Sequence, residues 1–83
     1  MLEYEVKIAE AGGIKAIIEG IGTHRGNEDA QEQGCWALVN LASNNAANKA
    51  SIEKEGGIDV ARKAYDTHRI SKAKELIELL FGF

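Results

Sequence analysis

The chain has 83 residues, a formal net charge of -3 and no proline, and 45% of its residues are hydrophobic. This length gives one small domain, which buries little more than roughly 60% of the surface of its unfolded chain. The net charge argues against a protein that binds duplex nucleic acid, which would normally show a basic face, but it leaves room for a basic peptide as ligand.

Cysteine content and the length of apolar runs indicate the cellular location of the protein. A single cysteine, Cys35, excludes a disulfide within the chain and fits a reducing compartment. No apolar run approaches the length of about 20 residues that spans a bilayer. Residues 1–5 include two glutamates and lack the basic and then apolar pattern of a secretory leader. We therefore expect an intracellular protein, cytoplasmic or nuclear, with no membrane as a partner.

An internal repeat organises the chain. Residues 8–25 return as residues 52–69 without a gap, and seven of the eighteen aligned positions are identical. A period in the 40s with helical composition indicates a solenoid of paired or tripled helices. We expect a single all-α module over residues 1–83, with a first repeat at about 3–43 and a truncated second repeat at about 45–83.

The first repeat begins with two predicted helices. A short helix over about residues 3–11 ends at Gly12-Gly13, because glycine accepts the positive backbone angles of a helix C-cap. A second helix over about residues 13–24 follows from four isoleucines at helical spacing. These are Ile14, Ile17, Ile18 and Ile21.

The third helix is the most informative. Gly26 ends the preceding helix, Asn27 supplies an N-cap, and the helix runs to about Ser43. At 100° per residue it has an apolar stripe and an opposite, polar stripe. The apolar stripe contains Ala30, Gly34, Ala37, Leu38 and Leu41, and the polar stripe contains Asp29, Gln33, Trp36 and Asn40. A tryptophan within a polar stripe should meet a ligand or be covered by a neighbouring chain.

The second repeat follows the same plan. A turn at residues 44–45 leads to a short helix near 46–55, and Gly56-Gly57 leads to another that ends at about residue 68. Ser71 is the predicted N-cap of a final helix that runs to the end and stops short of a full third helix.

These residues resemble the armadillo-repeat family, of the importin-alpha and beta-catenin kind. The resemblance rests on the Glu-Ala-Gly-Gly-Ile turn that ends at Ile14 and on the long helix around Cys35-Trp36, and it covers nearly the whole chain as about two repeats. It implies third helices that line a concave groove for extended peptides. In this family an Asn holds the peptide backbone and a Trp four residues earlier flanks the ligand side chains. Asn40 and Trp36 match that pair.

The chemistry of the same face fits a basic peptide. The ring of Trp36 can stack under an aliphatic or cationic side chain, and the Asn40 amide can donate to and accept from an extended backbone. Asp29 and Glu32 would favour Lys or Arg in the ligand. The alternative for these two acids is that they only complement the positive end of their own helix. The expected peptide-binding residues are Trp36, Asn40, Gln33 and Asp29.

The final helix carries a second anomaly. Its apolar residues spread over about 200° of arc, roughly twice the width of a normal core-facing stripe. A solenoid of two repeats lies below the roughly three that stability requires. The chain is therefore either an excised or engineered fragment of a longer array, or it completes its core with copies of itself. The expected self-association residues are Leu76, Leu79, Leu80, Phe81 and Phe83.

Other candidate sites are weaker. His24 and His68 lie at equivalent helix ends, where capping of terminal carbonyls is favoured over metal binding. Cys35 has no basic neighbour to activate it, so inert packing is the expectation. No nucleophile, base and orienting group can be assembled. We therefore predict a non-enzymatic protein-protein interaction module or scaffold without cofactor or metal, which binds an extended peptide or, alternatively, only itself as a homo-oligomer.

Overall fold

The computed structural model describes residues 12–81, and within them it contains five α-helices and no strand. The all-α prediction is confirmed. The predicted helix over residues 3–11 and the predicted self-association residue Phe83 lie outside the described residues. The helices are α1 (Gly13–Thr23), α2 (Glu28–Ala42), α3 (Ala46–Lys54), α4 (Gly57–His68) and α5 (Ser71–Phe81).

Two glycines set the directions of α1 and α4. Gly12 precedes α1 with φ 82°, and Gly56 precedes α4 with φ 89°, so both have left-handed backbone. A residue with a Cβ is strained in this region, and glycine is not. The turns that the sequence predicts at these two glycine pairs are therefore present, and each one starts a helix of similar length.

Asparagine side chains cap the starts of α2 and α3. The Oδ1 atom of Asn27 accepts a hydrogen bond from the amide of Ala30 at 3.0 Å, which confirms the predicted N-cap of α2. Asn45 caps α3 in the same way, through the amide of Asn48 at 3.0 Å. Each cap satisfies one of the amide groups that a helix start leaves without a backbone partner.

The start of α5 differs from the prediction. Ser71 is the first helical residue and not the cap, because the carbonyl of Ile70 accepts from the amides of Ala73 at 3.1 Å and Lys74 at 3.3 Å. Ile70 is buried in the core while Ser71 is exposed. Burial of the isoleucine, and not a polar capping side chain, therefore fixes where this helix begins.

One apolar core joins all five helices. The most extensive contacts lie between α2 and α5, followed by α4 with α5 and α1 with α2, and α3 contacts all four other helices. The largest fully buried apolar side chains belong to Leu38, Ile52 and Leu76, one each from α2, α3 and α5. Within residues 12–81, no helix has both the length and the apolar composition needed to cross a bilayer.

The buried face of α2 is shifted by about one residue from the predicted apolar stripe. Ala30, Gly34 and Ala37 are only half-buried. The helix contacts α1, α3 and α5 and, less extensively, α4, so several neighbours set its buried arc, which includes a polar residue that a hydrophobicity pattern rejects. Its buried residues are Gln31, Cys35, Leu38, Val39, Leu41 and Ala42.

Candidate functional site

The four predicted peptide-binding residues share one exposed face of α2. Asp29, Gln33, Trp36 and Asn40 are all exposed, and their spacing of three and four residues places them along one side of the helix. Trp36 leaves 47% of its surface open to solvent. The sequence therefore identified the solvent face of this helix, and the tryptophan on it is one of the two exposed large apolar residues in the described part of the chain.

A lysine from α5 reaches the tryptophan. The Nζ atom of Lys72 lies 5.4 Å from the centre of the Trp36 ring, within the range of a cation–π interaction. The same Nζ donates a hydrogen bond to Oε1 of Glu75 at 3.1 Å. Sequence reasoning missed both partners, because the contact joins two helices that lie far apart along the chain.

The acids that were expected to attract a basic ligand remain available. Asp29 and Glu32 are exposed, and neither forms an ion pair with another described residue. The side-chain amide of Asn40 likewise makes no hydrogen bond within residues 12–81. The face thus offers an aromatic ring, an amide and two exposed carboxylates.

The second unit does not repeat this face. The first residues of α2 and α5, Glu28 and Ser71, are 43 positions apart, so the counterpart of Trp36 is Leu79. Leu79 is half-buried, and the counterpart of Asn40 is Phe83, which lies outside the described residues. The described structure therefore holds one aromatic–amide pair.

The predicted self-association residues of α5 divide into two groups. Leu76 and Leu80 are 0% and 7% exposed and belong to the core of this chain, and Leu79 is half-buried. Phe81 is 48% exposed. The wide apolar arc of the helix is explained largely by two neighbours, because α2 and α4 both pack against α5.

An open apolar groove lies between α1 and α2. Its volume is about 330 Å³, and small residues of α2 form much of its floor. The residues that line it are Ile17, Gly20, Ile21, His24, Ala30, Gln33, Gly34 and Ala37. Ala30, Gly34 and Ala37 belong to the predicted apolar stripe, so this groove accounts for the part of the stripe that the core leaves half-buried.

Two buried side-chain amides form hydrogen bonds with backbone carbonyls at helix ends. Nε2 of Gln31 donates to the carbonyls of Ile21 at 2.8 Å and His24 at 2.9 Å, at the end of α1. Nδ2 of Asn48 donates to the carbonyl of Leu41 at 2.8 Å, at the end of α2. Both donors satisfy carbonyls that a helix end leaves without an intrahelical partner. Neither residue stands out in the sequence, because both are polar.

Cys35 is inaccessible to reactants. It is fully buried, and desolvation raises the pKa of its thiol to about 11. A thiol that stays protonated at neutral pH is a poor nucleophile. The geometry agrees with the packing role that the sequence suggested.

The histidines take different positions. Nε2 of His68 lies 2.9 Å from the carbonyl oxygen of Arg25, so its contact joins the second unit to the first and does not cap its own helix. His24 is exposed. Among residues 12–81, no three His, Cys, Asp or Glu side chains converge as metal ligands would.

Comparison with known proteins gives a partial similarity. No family model matches the chain, and neither does any solved structure. The chain is similar to Protein aardvark from Dictyostelium discoideum, with 38% identity over 77 residues, which covers 83% of this chain and 10% of that protein. The chain thus spans about a tenth of the length of the curated relative that it matches.

Proposed function

We propose that this chain is an armadillo-like α-solenoid module of intracellular proteins that binds an extended, basic peptide along the exposed face of α2. It acts as an interaction module and not as an enzyme. The observation that carries this proposal is the position of Trp36, which lies in the middle of α2 with 47% of its surface exposed.

The neighbours of Trp36 favour a peptide over other ligands. Asn40 lies one helical turn further on, where its amide can bond both the N–H and the C=O of one peptide unit. An extended peptide has unsatisfied backbone groups along its length, and a hydrophobic small molecule does not. The exposed carboxylates of Asp29 and Glu32 attract a cationic side chain towards the ring.

The test uses the fluorescence of Trp36, the single tryptophan of the chain. Extended peptides of about eight residues that contain Lys or Arg should quench or shift its emission. The substitution Asn40→Ala should weaken binding by about 1 to 3 kcal/mol, because a buried peptide group loses its partner. Ser51→Ala, which also changes an exposed polar helical residue to alanine but lies on α3, should bind as the unchanged protein does.

Two results would contradict the proposal. One is an emission spectrum that no peptide of a basic library alters. The other is equal weakening by Asn40→Ala and Ser51→Ala, which would point to a loss of folding and not of a contact. Helical circular dichroism measured on both variants separates these cases.

A second candidate function is self-assembly, and the groove between α1 and α2 favours it. Some positions of the second unit that correspond to this groove are buried, and both α4 and α5 contact the first unit. Ala73, the counterpart of Ala30, is fully buried, and so is Ala61, the counterpart of Ile17. A second copy of the chain, stacked through its α4–α5 end, would cover the groove in the same way and form a head-to-tail contact.

Light scattering tests this candidate. The chain should have a mass above that of a monomer at micromolar concentration, and Ala37→Glu should reduce it by placing a charge in the groove. Ala50→Glu adds the same charge to an exposed position of α3 and should leave the mass unchanged. A monomer with a sharp thermal transition would rule out self-assembly and leave the peptide-binding proposal intact.

A further inference from the structure

The ring of Trp36 already has a cation beside it. Lys72 Nζ lies 5.4 Å from the ring centre and 3.1 Å from Glu75 Oε1. The lysine side chain is 33% exposed, so it is partly covered. This arrangement, an ammonium group between an aromatic ring and a carboxylate, is the one that a basic ligand side chain would adopt on the same ring.

We infer that Lys72 acts as an internal competitor for the cation position at Trp36 and thereby determines which basic side chain a ligand must carry. This inference rests on the proposed peptide-binding function. A ligand cation that is to occupy the same position has to displace Lys72 from the ring and from Glu75.

Displacement of Lys72 from the ring should favour an arginine of the ligand over a lysine. A lysine of the ligand replaces one ammonium with another, so its interactions with the ring and the carboxylate only match those that Lys72 gives up. An arginine binds more strongly, because its planar guanidinium stacks on an aromatic face and presents paired N–H donors to a carboxylate such as Glu75. At the Trp36 ring, binding should therefore favour an arginine of the ligand over a lysine, although both carry one positive charge.

The experiment compares three peptides that differ at one position, occupied by arginine, lysine or glutamine. Each is titrated into the unchanged protein, Lys72→Ala and Lys74→Ala at about 0.15 M salt, where distant exposed charges are largely screened. Lys74 is an exposed residue of the same helix, and the cation over the Trp36 ring is Lys72, so substitution of Lys74 removes the same charge and leaves the cation–π contact in place. Alanine is a strong helix former, so both variants retain α5.

Removal of Lys72 should raise the affinity for basic peptides selectively. The unchanged protein should bind the arginine peptide about two- to five-fold more tightly than the lysine peptide. The lysine peptide should exceed the glutamine peptide only through the attraction of the Asp29 and Glu32 carboxylates. Lys72→Ala should strengthen the arginine and lysine peptides by about two- to five-fold and leave the glutamine peptide unchanged. Lys74→Ala should have no such selective effect. Without peptide, only Lys72→Ala should change the emission of Trp36.

Failure of the inference can be told apart from failure of the proposed function. If basic peptides alter the Trp36 emission of the unchanged protein but Lys72→Ala does not strengthen them, Lys72 is not a competitor and peptide binding stands. If the three free proteins have the same emission, the contact itself is absent and the inference falls. If no peptide alters the emission of either the unchanged protein or Lys72→Ala, both the proposed function and the inference are wrong.

Discussion

The Nε2 atom of His68 lies 2.9 Å from the carbonyl oxygen of Arg25, 43 positions earlier in the chain. This contact joins the end of α4 to the turn that follows α1. An imidazole N–H that donates to this carbonyl satisfies a backbone group that the α1 helix does not use. The two units are therefore held together by a polar contact as well as by the apolar core.

The substitution His68→Ala should lower the free energy of unfolding by about 0.5 to 1.5 kcal/mol, the net contribution of an ordinary hydrogen bond. His24→Ala is the control, since His24 occupies the equivalent helix end in the first unit, and its exposed side chain makes no hydrogen bond within residues 12–81. Urea unfolding, monitored by circular dichroism, measures the free energy of unfolding of both variants. Equal losses in the two variants would show that the contact contributes nothing specific.

Gln31→Leu should destabilise the fold although it replaces a polar residue in the core by an apolar one of similar size. Gln31 is 1% exposed, and its Nε2 donates to the carbonyls of Ile21 and His24. Leucine would leave both without that donor, at a cost of about 1 to 3 kcal/mol. Gln33→Leu makes the same change at an exposed position of the same helix and should alter stability by at most about 0.5 kcal/mol. A stable Gln31→Leu protein would contradict this role.

Gly34→Ala should destabilise the fold, against the general preference of helices for alanine. A Cβ at this position would lie 2.8 Å from Cδ1 of Ile21 and closer still to its Cγ1. Ile21 is buried and β-branched, so it cannot turn away freely. We expect a net loss of about 1 to 2 kcal/mol from overpacking.

Gly20→Ala is the control for this prediction. A Cβ at Gly20 would meet nothing within 4 Å, so the substitution should raise stability by about 0.5 to 1 kcal/mol through helix propensity alone. Thermal unfolding compares the two alanine variants. Stabilisation by both would mean that α1 and α2 lie further apart than described.

The stability of the protein should fall between about pH 9 and pH 11 because of Cys35. Burial raises the pKa of this thiol to about 11, so the folded chain keeps a proton that the unfolded chain releases. The unfolded state then binds fewer protons, and rising pH favours it by up to about 1.4 kcal/mol per pH unit. Cys35→Ala should be less stable overall and lack this component of the slope. Identical slopes in the two proteins would contradict the burial of the thiol.

Local signals in the sequence placed most of the helix starts within residues 12–81. Glycine pairs at residues 12–13 and 56–57 mark helix starts because only glycine adopts the left-handed angles at Gly12 and Gly56 without strain. Asn27 was identified as a cap because its side chain acts within three residues of its own position. Such short-range chemistry can be read directly from residue order.

Contacts between helices could not be predicted in the same way. Gln31 and Asn48 are polar, so a hydrophobicity pattern places them outside, whereas the carbonyls that they satisfy make burial favourable. The start of α5 was misassigned because Ser71 is a good capping residue, while the burial of Ile70 depends on helices distant in sequence.

In the candidate site, too, local sequence predicts exposure but not contacts between helices. Exposure of Trp36 and Asn40 follows from the helical period of α2 alone. The approach of Lys72 depends on how far α5 lies from α2 and on its rotation, and the spacing of residues contains neither quantity. Residue spacing therefore predicted the members of the exposed face but not the cation beside the ring.

The most direct test of the peptide-binding account is a ¹H–¹⁵N NMR titration of the chain with an arginine-containing extended peptide. The account predicts that the indole N–H of Trp36 and the side-chain amide of Asn40 shift together with increasing peptide, while amides of α3 such as that of Ser51 stay in place. Shifts confined to residues away from the exposed face of α2, or no shifts at millimolar peptide, would contradict it.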